Sequence, residues 1–147
     1  ATSFGNRVLN NEIKGASSAI GAFYGANNNV FKGNTGSNPN TGISLWYAGG
    51  SNVFEDNDFR FGDTRRPGRH IGVYAYCSQT SVVEENLFSG KLDVGCLAGP
   101  KANCSIKNTK PNAYTITSTG LGFEGGISLN RNTFKSVTET FAEYRLE

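Results

Sequence analysis

One short element recurs along this chain and leaves few folds open to it: an apolar residue or two, a brief gap, then asparagine. It reads NRVLNNEIKG at 6–15, NNVFKGNTG at 28–36, NVFEDNDFRFG at 52–62, SVVEENLFSG at 81–90, a blurred NCSIKNT at 103–109 and SLNRNTFKS at 128–136. The asparagines fall at 11, 34, 57, 86, 108 and 132, at spacings of 23, 23, 29, 22 and 24 residues. A unit this small cannot bury its own apolar face, so it must stack on its neighbours as a solenoid.

A second repeat lies between these elements: AIGAFYG (19–25), GISLWYA (42–48), IGVYAYC (71–77) and DVGCLAG (93–99). Its apolar residues alternate with period two, the mark of a half-buried strand. The alternation turns Ile20, Ile43, Ile71 and Val94 inward in one column and Ala22, Leu45, Val73 and Cys96 inward in the next. The stretch from Gly42 to Gly62 shows a whole unit, with Ile43, Leu45 and Tyr47 inward, a Gly-Gly-Ser-Asn turn, and a second run through Val53, Phe54, Asn57 and Phe59. Short strands joined by Gly and Asn turns make one coil of a parallel β-helix. The asparagines should stack at one corner, each amide bonding the next coil about 4.8 Å away. Nineteen glycines and abundant asparagine disfavour helices and agree with an all-β chain.

The run NVFEDNDF (52–59), with Gly-Ile-x-[Leu/Val] in the strands that follow, resembles the repeat of the right-handed parallel β-helix superfamily. That superfamily includes pectate lyases, other polysaccharide lyases and hydrolases, and bacteriophage tailspikes. The resemblance spans roughly residues 5–136. It implies a right-handed solenoid of about six coils filling residues 1–147 as a single domain, a fragment or one part of a longer chain. It also implies an extracellular, virion or cell-surface setting and a polysaccharide partner, and it leaves open a trimeric assembly as in tailspikes.

Other features narrow the function. A formal charge of +2 is too small to demand nucleic acid, and no apolar run is long enough to span a bilayer. Cys77, Cys96 and Cys104 cannot all pair within the chain, and each reads first as a small buried side chain. With His70 as the only histidine and no Cys-x-x-Cys spacing, zinc is not expected.

Departures from the repeat mark candidate sites. The interval from Asn57 to Asn86 carries about six extra residues, placed in FGDTRRPGRH (61–70). Loops on a rigid scaffold are where function is grafted, and Arg65, Arg66, Arg69 and His70 form a cationic patch suited to carboxylate or sulfate. The alternative is a solvated loop turned by Pro67 and Gly68. Outward from the strands, Phe23, Trp46 and Tyr74 align as an aromatic column continued by Leu97, beside small Gly21, Ser44, Gly72 and Gly95. Sugar rings present apolar C–H faces to flat aromatics, so Phe23, Trp46, Tyr74, Tyr76 and Arg65 are the expected contacts of an anionic polysaccharide. The same stripe could pack against identical chains, lie under a loop, or face the core if the register slips.

A third feature is acidic. Aligning Asn57 with Asn86 sets Glu55 beside Glu84 and Asp56 beside Glu85 on adjacent coils. Carboxylates roughly 5 Å apart can serve as acid and nucleophile, or hold calcium, the one cofactor the chain suggests. They can equally form a charge ladder that begins with Lys32. Whether the chain is an enzyme stays open. A lyase or glycoside hydrolase would draw on Asp56, Glu85, Arg66, Arg69 or His70, and no catalytic signature of the superfamily matches residue by residue.

At the ends, only ATSF precedes the first repeat, leaving that coil without an evident cap. Ser136-Val-Thr-Glu139 resembles a helix capping box, with Val137, Phe141 and Tyr144 on one helical face, so a short closing helix is expected. The leading expectation is a carbohydrate-recognising β-helix. The competing one is a structural module whose aromatic face joins identical chains.

Overall fold

The computed structural model describes residues 3–62, 69–76, 78, 81–98, 102–110, 113–120, 126–135 and 137–143. Its strands wind into a parallel β-helix with three faces. The first coil is β1 (Arg7–Leu9), β2 (Glu12–Lys14) and β3 (Ser18–Phe23), and the second β4 (Val30–Lys32), β5 (Thr35–Ser37) and β6 (Thr41–Trp46). The third is β7 (Asn52–Glu55), β8 (Asp58–Phe61) and β9 (Ile71–Tyr76), and the fourth β10 (Ser81–Glu84), β11 (Leu87–Gly90) and β12 (Leu92–Ala98). After β13 (Ala102–Lys110) and β14 (Ala113–Gly120), the fifth coil follows as β15 (Gly126–Phe134) and β16 (Val137–Glu143). β15 covers two faces, pairing in parallel with both β10 and β11, while β16 extends the third face beyond β12.

The corner between the first two faces comes from one left-handed residue per coil. Asn10, Gly33, Asp56, Glu85 and Arg131 all have φ between 53° and 66°, and the repeat asparagine follows each of them. Non-glycine residues in this region cost about 1–3 kcal/mol each and persist only where the surroundings over-determine them. Here the amide ladder does so. The Asn57 backbone N–H and Nδ2 both donate to Asn86 Oδ1 at 2.9 Å, and Nδ2 also donates to the Phe31 carbonyl at 3.0 Å. Asn57 Oδ1 in turn accepts from Asn34 N and Nδ2 at 2.9 Å. The same pattern joins Asn11 to Asn34, and Asn86 to Asn132.

A second ladder, which the sequence reading did not single out, marks the entry to the first face. Asn6, Asn29 and Asn52 are joined by the same paired donation. Left-handed Gly5, Asn28 and Ser51 precede them. Their constant 23-residue spacing was visible in the sequence. The ladder stops at Ser81, in register with Asn52, whose buried Oγ has no hydrogen-bond partner.

Phenylalanine stacks fill the interior. Phe31 lies on Phe54 at 4.5 Å and 2°, and Phe88 on Phe134 at 4.8 Å and 7°. In the column that runs from Ile13 through Gly36 to Phe59 and Phe88, a Cβ on Gly36 would sit 2.6 Å from Phe59 Cδ1. In open surroundings Gly→Ala stabilises by restricting the unfolded chain. At this position we expect the reverse: Gly36→Ala should lose about 1–3 kcal/mol to overpacking, seen as a lower urea midpoint at unchanged slope.

Three expectations need correction. The blurred repeat at 103–109 is not a coil. It lies in β13, which pairs antiparallel with β14, and β14 pairs antiparallel with the free edge of β15. This hairpin covers an edge that would otherwise be open to further strand pairing. The ladder consequently steps from Asn86 straight to Asn132 across 46 residues. The closing segment is also no helix, since Val137–Glu143 is strand β16.

The third correction concerns register on the third face. Ile43 pairs with Val73, Leu45 with Ala75 and Trp46 with Tyr76, so Ile71 lies beside Thr41. A slip of two residues keeps every side chain on its face but changes its neighbours. From β9 to β12 the expected pairs hold, with Val94 beside Ile71 and Cys96 beside Val73. Tyr47, expected inward, follows β6 in a left-handed conformation and is 41% exposed. Cys96 is a fully buried core residue, and Cys77 lies outside the described residues.

Candidate functional site

The outer side of the third face carries an aromatic cluster. Parallel pairing sets Phe23, Trp46 and Tyr76 on successive strands in one register. Trp46 stacks on Tyr76 at 4.5 Å and 13°, and lies 5.8 Å from Tyr74. Tyr74, placed beside Trp46 by the sequence alignment, is in register with Ser44 and with Leu97 instead. Tyr76 is buried, Trp46 and Tyr74 are half-buried, and Phe23 is exposed.

Two residues that sequence reasoning missed extend this surface. Tyr24 and Tyr47 take left-handed conformations just past β3 and β6, and their rings stack at 6.1 Å and 6°. Tyr47 also meets Tyr76 edge-on at 5.3 Å. The signal was the FY and WY dipeptides at a 23-residue offset, obscured because strict alternation would bury the second member of each.

The small residues do not open a groove here. A Cβ on Gly21 would lie 2.7 Å from the Phe23 ring, so that ring already covers the space. Ser44 is buried and bonds Ser18 at 2.8 Å. A Cβ on Gly72 would meet the Gly95 carbonyl at 2.6 Å and the core Phe134 ring at 3.0 Å. The aromatic surface is therefore a shallow platform.

Of the cationic loop, Arg65 and Arg66 lie outside the described residues, and Arg69 is exposed. His70 is 3% exposed, with Nδ1 at 2.9 Å from the Lys91 carbonyl and its ring against Phe61. Its backbone N–H donates to Asp93 Oδ2 at 2.9 Å, which ties the start of β9 to the next coil.

The acidic column forms as aligned, with Glu55 paired to Glu84 in register. Asp56 and Glu85 occupy the left-handed corner. A cation flanks the column on each side. Lys32 Nζ reaches Glu55 at 2.9 Å and Asp56 at 3.4 Å, while Arg131 reaches Glu85 at 2.8 Å and Glu84 at 3.6 Å. The hydrogen bond and charge of Glu55, helped by Asp56, hold the Lys32 ammonium above the usual lysine range. That attraction is present below the ordinary lysine pKa and fades as pH climbs through the raised one. At so exposed a site it adds little stability.

This geometry defines a class, a parallel β-helix with an aromatic platform on one outer face and an ion-paired ladder at a corner, and the family it matches is right-handed and of the pectate-lyase-like superfamily. Within that class the chain belongs to the NosD family, described as periplasmic copper-binding protein, which residues 1–140 match. Comparison with curated proteins and with solved structures finds no match for this chain. Among the described residues no helix is long and apolar enough to cross a membrane.

The family description names copper. Copper sites draw on imidazole, thiolate and thioether groups. The chain has one histidine, three cysteines and no methionine. His70 is turned to a backbone carbonyl and Cys96 lies in the apolar core. No three His, Cys, Asp or Glu side chains converge among the described residues. The described donors do not fit copper.

Proposed function

We propose that this chain is an extracytoplasmic β-helix that recognises carbohydrate across the aromatic platform of its third face. The observation that carries this reading is the stack of half-buried Trp46 on Tyr76, surrounded by Tyr74, Tyr47 and Phe23. Stacked at 4.5 Å, Trp46 and Tyr76 cover each other's faces and fix a rigid aromatic ridge, and the exposed Phe23 and Tyr47 rings beside them are open to the C–H face of a sugar with little ordering left to do on binding. The periplasmic description of the family agrees with a setting where glycans are met. The anionic class of glycan follows from the cationic residues Arg65, Arg66 and Arg69 that the sequence places just before β9. The neutralised acidic column favours binding over hydrolysis, since Lys32 and Arg131 engage the carboxylates an acid and nucleophile pair would need.

Trp46→Ala should weaken binding to the acidic polysaccharides the protein recognises by about tenfold or more, and because the ring is half-buried against Tyr76 it should also lower the melting temperature, so affinities are compared well below both transitions. Unaltered affinity across a panel of such polysaccharides would remove the proposal. A second reading is favoured by the exposure of Phe23 at 44%, Tyr24 at 72% and Tyr47 at 41%. Such rings suit contact with identical chains, and the trimer of this reading would sediment as one and dissociate on Trp46→Ala.

A further inference from the structure

A different face carries a second candidate surface. The outward side chains of β2, β5, β8 and β11 line a groove of about 500 Å³. Register sets Glu12, Thr35 and Asp58 in one column, with Ser37, Arg60 and Ser89 in the next. Beneath them the inward residues Phe59 and Phe88 are fully buried, so the groove has a rigid floor. Neighbouring coils repeat at roughly 4.8 Å, about the advance of one pyranose unit along its chain.

The polar groups here are not used by the fold. Asp58 and Arg60 are both exposed, and neither makes a side-chain hydrogen bond or ion pair among the described residues. Glu12 is paired with Lys14 at 2.9 Å on the rim, where both are well exposed. Two carboxylates against two cations leave no net field to draw in a polyanion. What the groove does offer is a dense mixture of carboxylate acceptors, guanidinium donors and hydroxyls that do both. Sugar hydroxyls need that mixture, and an uncharged chain meets it without leaving a buried charge.

We infer that this groove binds an uncharged, hydroxyl-rich chain, a neutral oligosaccharide, at a site separate from the aromatic platform. The inference rests on the reading of this β-helix as a carbohydrate-binding protein and adds a second surface and its ligand class. Asp58 accepts from ring hydroxyls, Arg60 donates to ring and hydroxyl oxygens, and Thr35, Ser37 and Ser89 complete the contacts.

Calorimetry of the intact chain with cellohexaose, maltohexaose, xylohexaose and polygalacturonate tests it. At least one neutral hexasaccharide should bind, and Arg60→Ala and Asp58→Asn should each weaken it by about tenfold, with unchanged melting curves. Trp46→Ala should leave that binding intact. The inference is overturned if no neutral probe binds, if both groove variants bind as the parent does, or if only polygalacturonate shows Arg60-dependent binding. Neutral-chain binding lost on Trp46→Ala alone would sink the groove and spare the platform; polygalacturonate binding unmoved by Trp46→Ala, beside neutral binding lost in the groove variants, would sink the platform and spare the groove.

Discussion

Asn57→Ala is expected to cost about 3–5 kcal/mol, among the largest losses a single substitution can bring to this fold. Asn57 is 1% exposed and sits at the centre of the corner ladder. Truncation removes the acceptor shared by Asn34 N and Nδ2 and the donor to the Phe31 carbonyl. It also leaves Asn86 Oδ1 with only the backbone N–H of residue 57. Each buried polar group left unmatched costs about 1–3 kcal/mol, and the cavity adds to that. Asn11→Ala, at the exposed first rung, should cost far less, because its Nδ2 bonds Leu9 O within its own coil and water can replace its partners. Urea unfolding of both variants checks the argument. Equal losses would show that the ladder does not act through burial.

Phe88→Ala carries the second large effect, about 3–5 kcal/mol, by emptying the middle of the interior stack. The ring is fully buried between Phe59 at 5.8 Å and Phe134 at 4.8 Å. Phe134 belongs to the fifth coil, so the stack joins the coils on either side of the inserted hairpin. Phe88→Leu keeps most of the apolar volume and should lose less than half as much. A small loss for the alanine variant, measured by the same unfolding, would mean that the flanking rings collapse into the space.

The two substitutions probe different terms. In a solenoid each coil touches only its neighbours, so stability is close to a sum of local coil terms and coil-to-coil terms. Asn57 acts on the corner geometry, where Asp56 is held left-handed beside it. Phe88 acts on interior burial. Because the residues sit on adjacent coils in one contiguous core, the double variant should fall short of strict additivity.

Much of this architecture was legible in the residues. The spacing of Asn11, Asn34, Asn57 and Asn86 foretold a ladder, and the alternation in GISLWYA foretold the buried Ile43 and Leu45. The lateral match of Glu55 with Glu84 also followed from alignment alone. What a carboxylate does at that place did not follow. Lys32 was visible one coil away in sequence, whereas Arg131 reaches Glu85 across a hairpin that no periodicity announces.

The sequence by itself thus determined the period, the inward and outward sets and the amide corner, because each is a local property repeated in every coil. Only the tertiary structure decided who stands beside whom. A strand of period two can slip by two residues without turning any side chain over, so nothing in IGVYAYC could tell Tyr74 from Tyr76 as the neighbour of Trp46. For the same reason the polar groove of Asp58 and Arg60 stayed hidden: outward polar residues carry no burial signal, and only the stacked coils show that they share one surface.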